Sequence, residues 1–241
     1  MNPPPLTVRP VIHTSHVAEW LAVFRALGAD TLTTDPMWTE VQLHRGRVTL
    51  SVLNRGAREG EVSLGFEVPD LEAYAVAVVP ADGVLVERFA TEDYESLRVT
   101  GRDGLSFLID QRPPGPPPSS EIVTSVHAAW ITPDVERTAQ DLESLGLHRR
   151  LTQINGRVID LRAGEGDVLV HTSDGGPTEA DVAVDVTDVT VAHKALIDAG
   201  IAHDVIDETH GRTLQVSLPG DDEKRLWITQ EDAEPVGAIK H

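Results

Sequence analysis

Cysteine is missing from all 241 residues, which removes disulfides, thiol nucleophiles, thiolate zinc sites and iron–sulfur clusters together. Any metal would have to be held by His, Asp or Glu. No stretch approaches the roughly 18 apolar residues that a membrane helix requires. Met1 to Leu6 is proline-rich where a secretory leader would be basic and then apolar. The cytoplasm is the expected location, with no membrane partner. Positive charge is also scarce: 20 Lys and Arg stand against 39 Asp and Glu, a formal charge of −19. A polyanion would be repelled over most of such a surface, so nucleic acid is not an expected partner. The same field favours a cationic ligand, although net acidity speaks first to solubility. Gly101-Arg102-Asp103-Gly104 and Gly164-Glu165-Gly166-Asp167 read as hairpin turns. No helix opens directly after either, so neither is a phosphate loop or dinucleotide fingerprint. No Gly-x-Ser-x-Gly elbow is present.

What is present is a repeat. Apolar residues at 40% and charged residues at 24% are globular values, and the length suits two domains of about 100 to 150 residues. The run from Arg112 to Ser120, with five prolines and a glycine, can neither donate ladder hydrogen bonds nor hold a helix. It predicts a stiff linker over 112–120, between domains at 6–111 and 121–231. Four segments, opening near Arg9, Ser63, His127 and Asp181, share one plan: a short alternating strand, a helix entry, an amphipathic helix, a glycine stop and then strands. The entries are His16, Asp70, Asp134 and Asp188, three of them aspartates suited to N-capping. Helices are predicted over Val17–Leu27, Leu71–Val79, Val135–Leu145 and Val189–Ala199, closed by Gly28, Gly83, Gly146 and Gly200. Arg9 to Ser63 and His127 to Asp181 are both 54 positions apart, and Arg9 to His127 and Ser63 to Asp181 both 118. The Asn155-Gly156 and Asp103-Gly104 pairs mark hairpins. The expected fold is α+β: four βαβββ modules, paired into two curved mixed sheets with helices outside.

This arrangement, with spacings such as His127-Ala128-Ala129-Trp130-Ile131-Thr132-Pro133-Asp134, resembles the vicinal oxygen chelate superfamily over about 220 residues. That group contains glyoxalase I, extradiol dioxygenases, fosfomycin-resistance transferases and bleomycin-resistance proteins. In its metal-using members the resemblance implies ligands at the first residue of a module's opening strand and at a carboxylate in its closing strand. The opening positions here are Arg9, Ser63, His127 and Asp181. The closing ones, by strand register, are Ser51, Leu108, Leu169 and Trp227. The first pair of modules then offers no usual metal donor set. The second offers His127 and Asp181, with His171 two residues past Leu169 as a candidate third donor.

Strand alternation sorts the faces. Arg9, Val11 and His13 are expected in the first cup with Ser63, Gly65 and Glu67. His127, Ala129 and Ile131 are expected in the second with Asp181, Ala183 and Asp185. Ser51, Leu108, Trp227, Gln215, Ser217, Glu40, Gln42 and His44 would add to these faces. Gly65, Ala129 and Ala183 would leave room, Trp227 would offer an indole, and the carboxylates charge. The leading expectation is a metal-independent, cofactor-free protein resembling the bleomycin-resistance branch. It would sequester an aromatic or cationic small molecule through Arg9, His13, Glu67, His127, Asp181, Asp185 and Trp227, with no catalytic residue. The alternative is a metal-dependent glyoxalase-like lyase or isomerase, or a dioxygenase, using His127, Asp181 and His171. A further possibility is that these side chains fill the cups themselves. His13 and Glu67 would make an acid–base pair only if they approach across the sheet. His203 and His210 are expected at the surface, and Asp221-Asp222-Glu223 in a solvated turn. Because the second copy of the repeat lies within the chain, a monomer is natural, with a homodimer through sheet edges as the other option.

Overall fold

The strand-helix-glycine plan is built four times over. The computed structural model describes residues 3–53, 56–91, 94–112, 115–208, 211–218, 220–231 and 237–241, with only the backbone at 208, 211, 218 and 221–223. The first module comprises β1 (Thr7–Val8), β2 (Val11–Thr14), α1 (Val17–Ala26), β3 (Asp30–Thr34), β4 (Trp38–Gln42) and β5 (Arg47–Val52). The second comprises β6 (Glu61–Ser63), β7 (Gly65–Val68), α2 (Leu71–Ala77), β8 (Leu85–Ala90), β9 (Glu95–Thr100) and β10 (Ser106–Gln111). In the third are β11 (Thr124–Thr132), α3 (Val135–Ser144), β12 (His148–Gln153), β13 (Val158–Arg162) and β14 (Asp167–Thr172). The fourth holds β15 (Glu179–Val186), α4 (Val189–Asp198), β16 (His203–Glu208), β17 (Gly211–Leu218) and β18 (Asp221–Gln230), and β19 (Ala238–Lys240) follows. Asp221 to Glu223 therefore open a strand instead of forming a turn.

Three helices start as their aspartates dictate. The carboxylates of Asp70, Asp134 and Asp188 accept backbone N–H groups of Ala73, Arg137, and Thr190 with Val191, satisfying donors that the first helical turn leaves unpaired. His16 makes no side-chain cap; its own backbone N–H donates to Thr14 Oγ1 at 2.9 Å. Gly28, Gly146 and Gly200 close α1, α3 and α4 with φ of 84°, 104° and 70°, the left-handed stop that glycine adopts freely. Gly83 does not close α2. That helix ends at Val78 in an extended conformation, because Pro80 has no N–H to continue the ladder and bars Val79 from helical geometry.

In the second half the strand order is β12-β13-β14-β11-β15-β18-β17-β16, with β11–β14 and β15–β18 parallel. The first half repeats this order with one interruption. Its two central strands are each broken, at Arg9-Pro10 between β1 and β2 and at Leu64 between β6 and β7. This leaves β3-β4-β5-β2-β6 beside β1-β7-β10-β9-β8. Arg9 N–H donating to Gly65 O at 2.8 Å carries the pairing across the gap. Pro10 cannot donate to the ladder, which is why the break falls there. A register shift after Thr31 leaves Leu32 as the extra residue of a bulge, and the same shift recurs at Arg150, 118 positions later. Bridges Val62–Ala180, Thr7–Glu165 and Arg45–Ser125 join the halves. Strand β19, which the sequence did not lead us to expect, covers the outer edge of β12.

Alternation sends Val126, Ala128 and Trp130 to the helix side of β11, and Val182, Val184 and Val186 to that side of β15, all buried. Each side chain so buried contributes about 1.5–3 kcal/mol if large. The helix layers of the second and third modules pack on each other. Trp130 meets the Phe107 ring edge-on at 5.7 Å and donates to Asp103 at 2.8 Å, and the Tyr74 hydroxyl donates to Leu145 O at 2.8 Å. Among the described residues no helix is long and apolar enough to cross a membrane.

Candidate functional site

The face of the first sheet away from its helices is closed at its base by charge. Arg9, opposite Gly65, directs Nε to Glu67 at 3.2 Å, Nη1 to Thr49 at 2.9 Å and Nη2 to Asp110. Glu67 also takes Arg47 at 2.6 Å and lies 3.9 Å from Arg112, which pairs with Glu40. Arg47 donates to Gln42 at 2.7 Å, and Ser96 to Asp110. Arg9, Arg47 and Glu67 are all buried. Burial pushes the Glu67 carboxyl up, with the three guanidinium groups working against the rise.

The second sheet repeats the device with different residues. His127 stands 118 positions on from Arg9 and Asp185 118 on from Glu67, and His127 Nδ1 lies 2.9 Å from the Asp185 carboxylate. Thr229 donates to Asp185 from β18. His127 Nε2 lies 3.9 Å from Asp160, whose other oxygen takes Arg150. Arg150 reaches it because a bulge leaves that residue unpaired in the ladder. Burial opposes a charge on His127, but Asp185, Asp160 and Asp167 outweigh it and raise its pKa to about 9. Burial likewise opposes ionisation of Asp185, yet His127, Thr229 and Arg150 hold its pKa below the usual aspartate value. The pair is an imidazolium and a carboxylate at neutral pH.

This arrangement does not fit a divalent metal. With Nδ1 held by Asp185, His127 could offer a metal only Nε2, and only by giving up the proton that its raised pKa favours. At the other positions the resemblance singled out, Asp181 accepts the neighbouring Val182 N–H at 2.8 Å, and Trp227, an indole N–H donor, has no lone pair for a metal. His171 is turned to the Thr172 carbonyl at 2.7 Å. No group of three His, Asp or Glu placed to hold a metal exists among the described residues.

Of the seven side chains that the sequence singled out for binding, two pairs hold each other: Arg9 with Glu67, and His127 with Asp185. At the base of each cup these side chains bond one another. Trp227, 39% exposed, shares a row with Ala183 and His127. Burial raises the Asp181 pKa. His13 bonds Ser63 Oγ at 3.2 Å through Nε2, so it forms no acid–base pair with Glu67. Register places Thr49, not Ser51, opposite Val11, and Ser51 opposite His13. Gly65 lines the first cup's cleft, and a Cβ there would lie 2.6 Å from the Arg9 carbonyl oxygen, so close backbone approach also demands glycine. His203 is half-buried against His193, their ring nitrogens 2.7 Å apart; His210 lies outside the described residues. Sequence reasoning missed Arg47, Asp110, Arg112, Asp160 and Thr229. Above its charged base the first cup keeps a cleft of about 250 Å³ between β2, β6 and β10, with Arg9, Val11, His13, Ser63 and Leu108 on its walls.

No family model matches the chain, and no curated protein does. Solved structures do. A 2,3-dioxygenase, LapB from Pseudomonas sp. KL28, superposes with a TM-score of 0.69 at 13% identity, over 98% of this chain and 95% of that one. A catechol 2,3-dioxygenase gives 0.64 at 14%, over 98% and 90%. The Mn(II)-bound glyoxalase from Novosphingobium aromaticivorans gives 0.65 at 15%, over 98% and 85%.

Proposed function

The chain carries the vicinal oxygen chelate fold, and from that fold and its own donor set we propose that it is a metal-independent small-molecule-binding protein of the cytoplasm. The observation that carries this reading is the buried cation–carboxylate pair standing at the same place in both halves, Arg9–Glu67 and His127–Asp185. Where the superfamily's resemblance implies a metal donor, this chain supplies its own positive charge. A buried pair of this kind shields its carboxylate from an incoming ion, since binding a metal would first require displacing a held proton or a guanidinium. What remains for function is recognition: the cleft of the first cup and the exposed Trp227 face of the second.

A second reading is a metal-dependent dioxygenase or glyoxalase-like enzyme. The structural likeness to dioxygenases and to a Mn(II)-bound glyoxalase favours it over a binder, and the donor set weighs against it. In such an enzyme His127, once deprotonated, and Asp181 would be the donors, and the metal would polarise a bound oxygen ligand.

Metal analysis of protein purified without chelator, combined with calorimetric titration against a panel of aromatic compounds of either charge, separates the two. Substoichiometric metal and at least one micromolar binder are expected. Stoichiometric manganese, iron, zinc or nickel that disappears in His127→Ala would establish the second reading instead.

A further inference from the structure

We propose that the imidazoles of His193 and His203 form a two-nitrogen site for an exchangeable Cu(II) ion on the helix side of the second sheet. It goes beyond the small-molecule-binding reading, which concerns the cups alone. Nδ1 of His193, on α4, lies 2.7 Å from Nε2 of His203, on β16, with ring centroids 4.9 Å apart and ring planes at 79°. Register fixes the face they occupy. His203 stands opposite Val216, and Val205 opposite Leu214, with both Val216 and Leu214 buried on the side that α4 covers. The neighbouring Gln215 stands opposite Trp227 on the cup side. The pair is therefore separated from His127 and Asp185 by the thickness of the sheet. Both rings are half-buried, within reach of an ion from solvent.

The proton positions are constrained by chemistry. Ile201 O can only accept, so His203 Nδ1, 2.9 Å from it, carries a proton. Nε2 of His203 and Nδ1 of His193 then share a single proton, because a hydrogen bond between them needs one donor and one acceptor. An ion that displaces that proton, to solvent or to the outer nitrogen of His193, finds a lone pair on each ring. A backbone carbonyl holding the far N–H is the support that ligating histidines commonly have. Spacing selects the metal. Two imidazole nitrogens bound to one ion stand roughly 2.9 Å apart at the right angles of a tetragonal site and roughly 3.3 Å apart at tetrahedral angles. The observed 2.7 Å is nearer the first, which is the geometry of Cu(II), the divalent ion that also heads the affinity order for such donors. No carboxylate completes the set: Asp198 is paired with Lys194, Asp207 with Arg212, and Asp204 stands opposite Gln215 on the cup side. Water fills the remaining positions. An ion held by two protein donors exchanges and is expected to wash out in purification, so the metal content expected above is unchanged. The formal charge of −19 favours cations over the whole surface.

Isothermal titration of the full chain with Cu(II) and, separately, Zn(II), together with electron paramagnetic resonance of the first copper equivalent, tests the site. One equivalent of Cu(II) is expected to bind at least about tenfold tighter than Zn(II), with hyperfine coupling to two nitrogens. His193→Gln and His203→Gln are each expected to weaken that binding at least about tenfold and to abolish the two-nitrogen spectrum. Circular dichroism checks that both are folded, and His193→Gln, on the helix, decides alone if His203→Gln is not. Affinity and spectrum unchanged in His193→Gln would put the copper on other histidines and overturn the site. Zn(II) binding as tightly as Cu(II) would overturn the choice of metal. Copper kept in His193→Gln but lost in His127→Gln would overturn this inference and the metal-independent reading together, whereas loss of the site with no metal in the cups leaves that reading standing.

Discussion

Glu67→Ala is expected to cost the fold about 3–5 kcal/mol, because removing one member of a buried ion pair strands the others. The carboxylate holds Arg9 at 3.2 Å and Arg47 at 2.6 Å, both buried. Without it two guanidinium groups face each other across the base of the first cup. The raised pKa of Glu67 says that burial outweighs attraction for this group, so the intact pair is not itself a large net source of stability. The cost arises from the partner left behind. Arg9→Met should therefore also destabilise, by stranding Glu67 and Asp110, and the double variant Arg9→Met/Glu67→Ala should lose less than the sum of the two singles. A coupling of about 0.5–3 kcal/mol is the expected range for groups in contact. Urea denaturation of the four proteins reads it directly, and the single-variant loss corresponds to a fall of roughly 6–20 °C in melting temperature for a chain of this size. A Glu67→Ala variant within about 1 kcal/mol of the parent, the median range for surface pairs, would mean that the base of the cup is wet and open and that the network does not close it.

The second large effect lies in the pH dependence of stability. His127 is faced by Asp185 from β15, Asp160 from β13 and Asp167 from β14, with Arg150 from β12 as the opposing charge and Thr229 from β18 bonded to Asp185. Its folded pKa of about 9 stands above the unfolded value of 6.5. The folded state therefore holds a proton that the unfolded state releases earlier as pH rises. The stabilisation is complete below the unfolded value and is lost as pH climbs through the folded one. Asp185 has the opposite sign: its depressed pKa gives stability that is present above the unfolded aspartate value and lost in acid. Relative to His127→Gln, the parent chain should lose about 3 kcal/mol on going from pH near 6 to pH near 10. Denaturant titrations at several pH values compare the two. Parallel curves would show that His127 is neutral in the folded protein, free to donate a lone pair.

Much of this fold is legible in the sequence because it is written four times. Aspartate entries locate the starts of α2, α3 and α4 and glycine stops the ends of α1, α3 and α4, and alternation assigns faces for β7, β11 and β15. Gly83 misled because a helix can end at a proline before its glycine is reached. Ser51 was placed where Thr49 belongs because a slip of two residues keeps every side chain on the same face; both positions sit between apolar neighbours, and alternation alone cannot distinguish them. The site was legible only in part. Arg9, Glu67, His127 and Asp185 were found as inward-facing groups, but which of them pair is a matter of distance between strands, and a list of faces holds no distances. Asp160 and Arg150 were out of reach for a different reason. Arg150 turns onto Asp160 only because the bulge frees it from the ladder, and nothing in the local sequence marks that bulge except its echo at Leu32.

Long-range proton–nitrogen NMR of the His127 side chain, recorded across pH and then with added Mn(II), bears most directly on whether this chain holds its own cation where a metal would otherwise sit. Both ring nitrogens should carry protons at neutral pH, titrate near pH 9, and be undisturbed by the paramagnetic ion. An imidazole with one bare nitrogen at neutral pH, whose resonances vanish when stoichiometric Mn(II) is added, would contradict it.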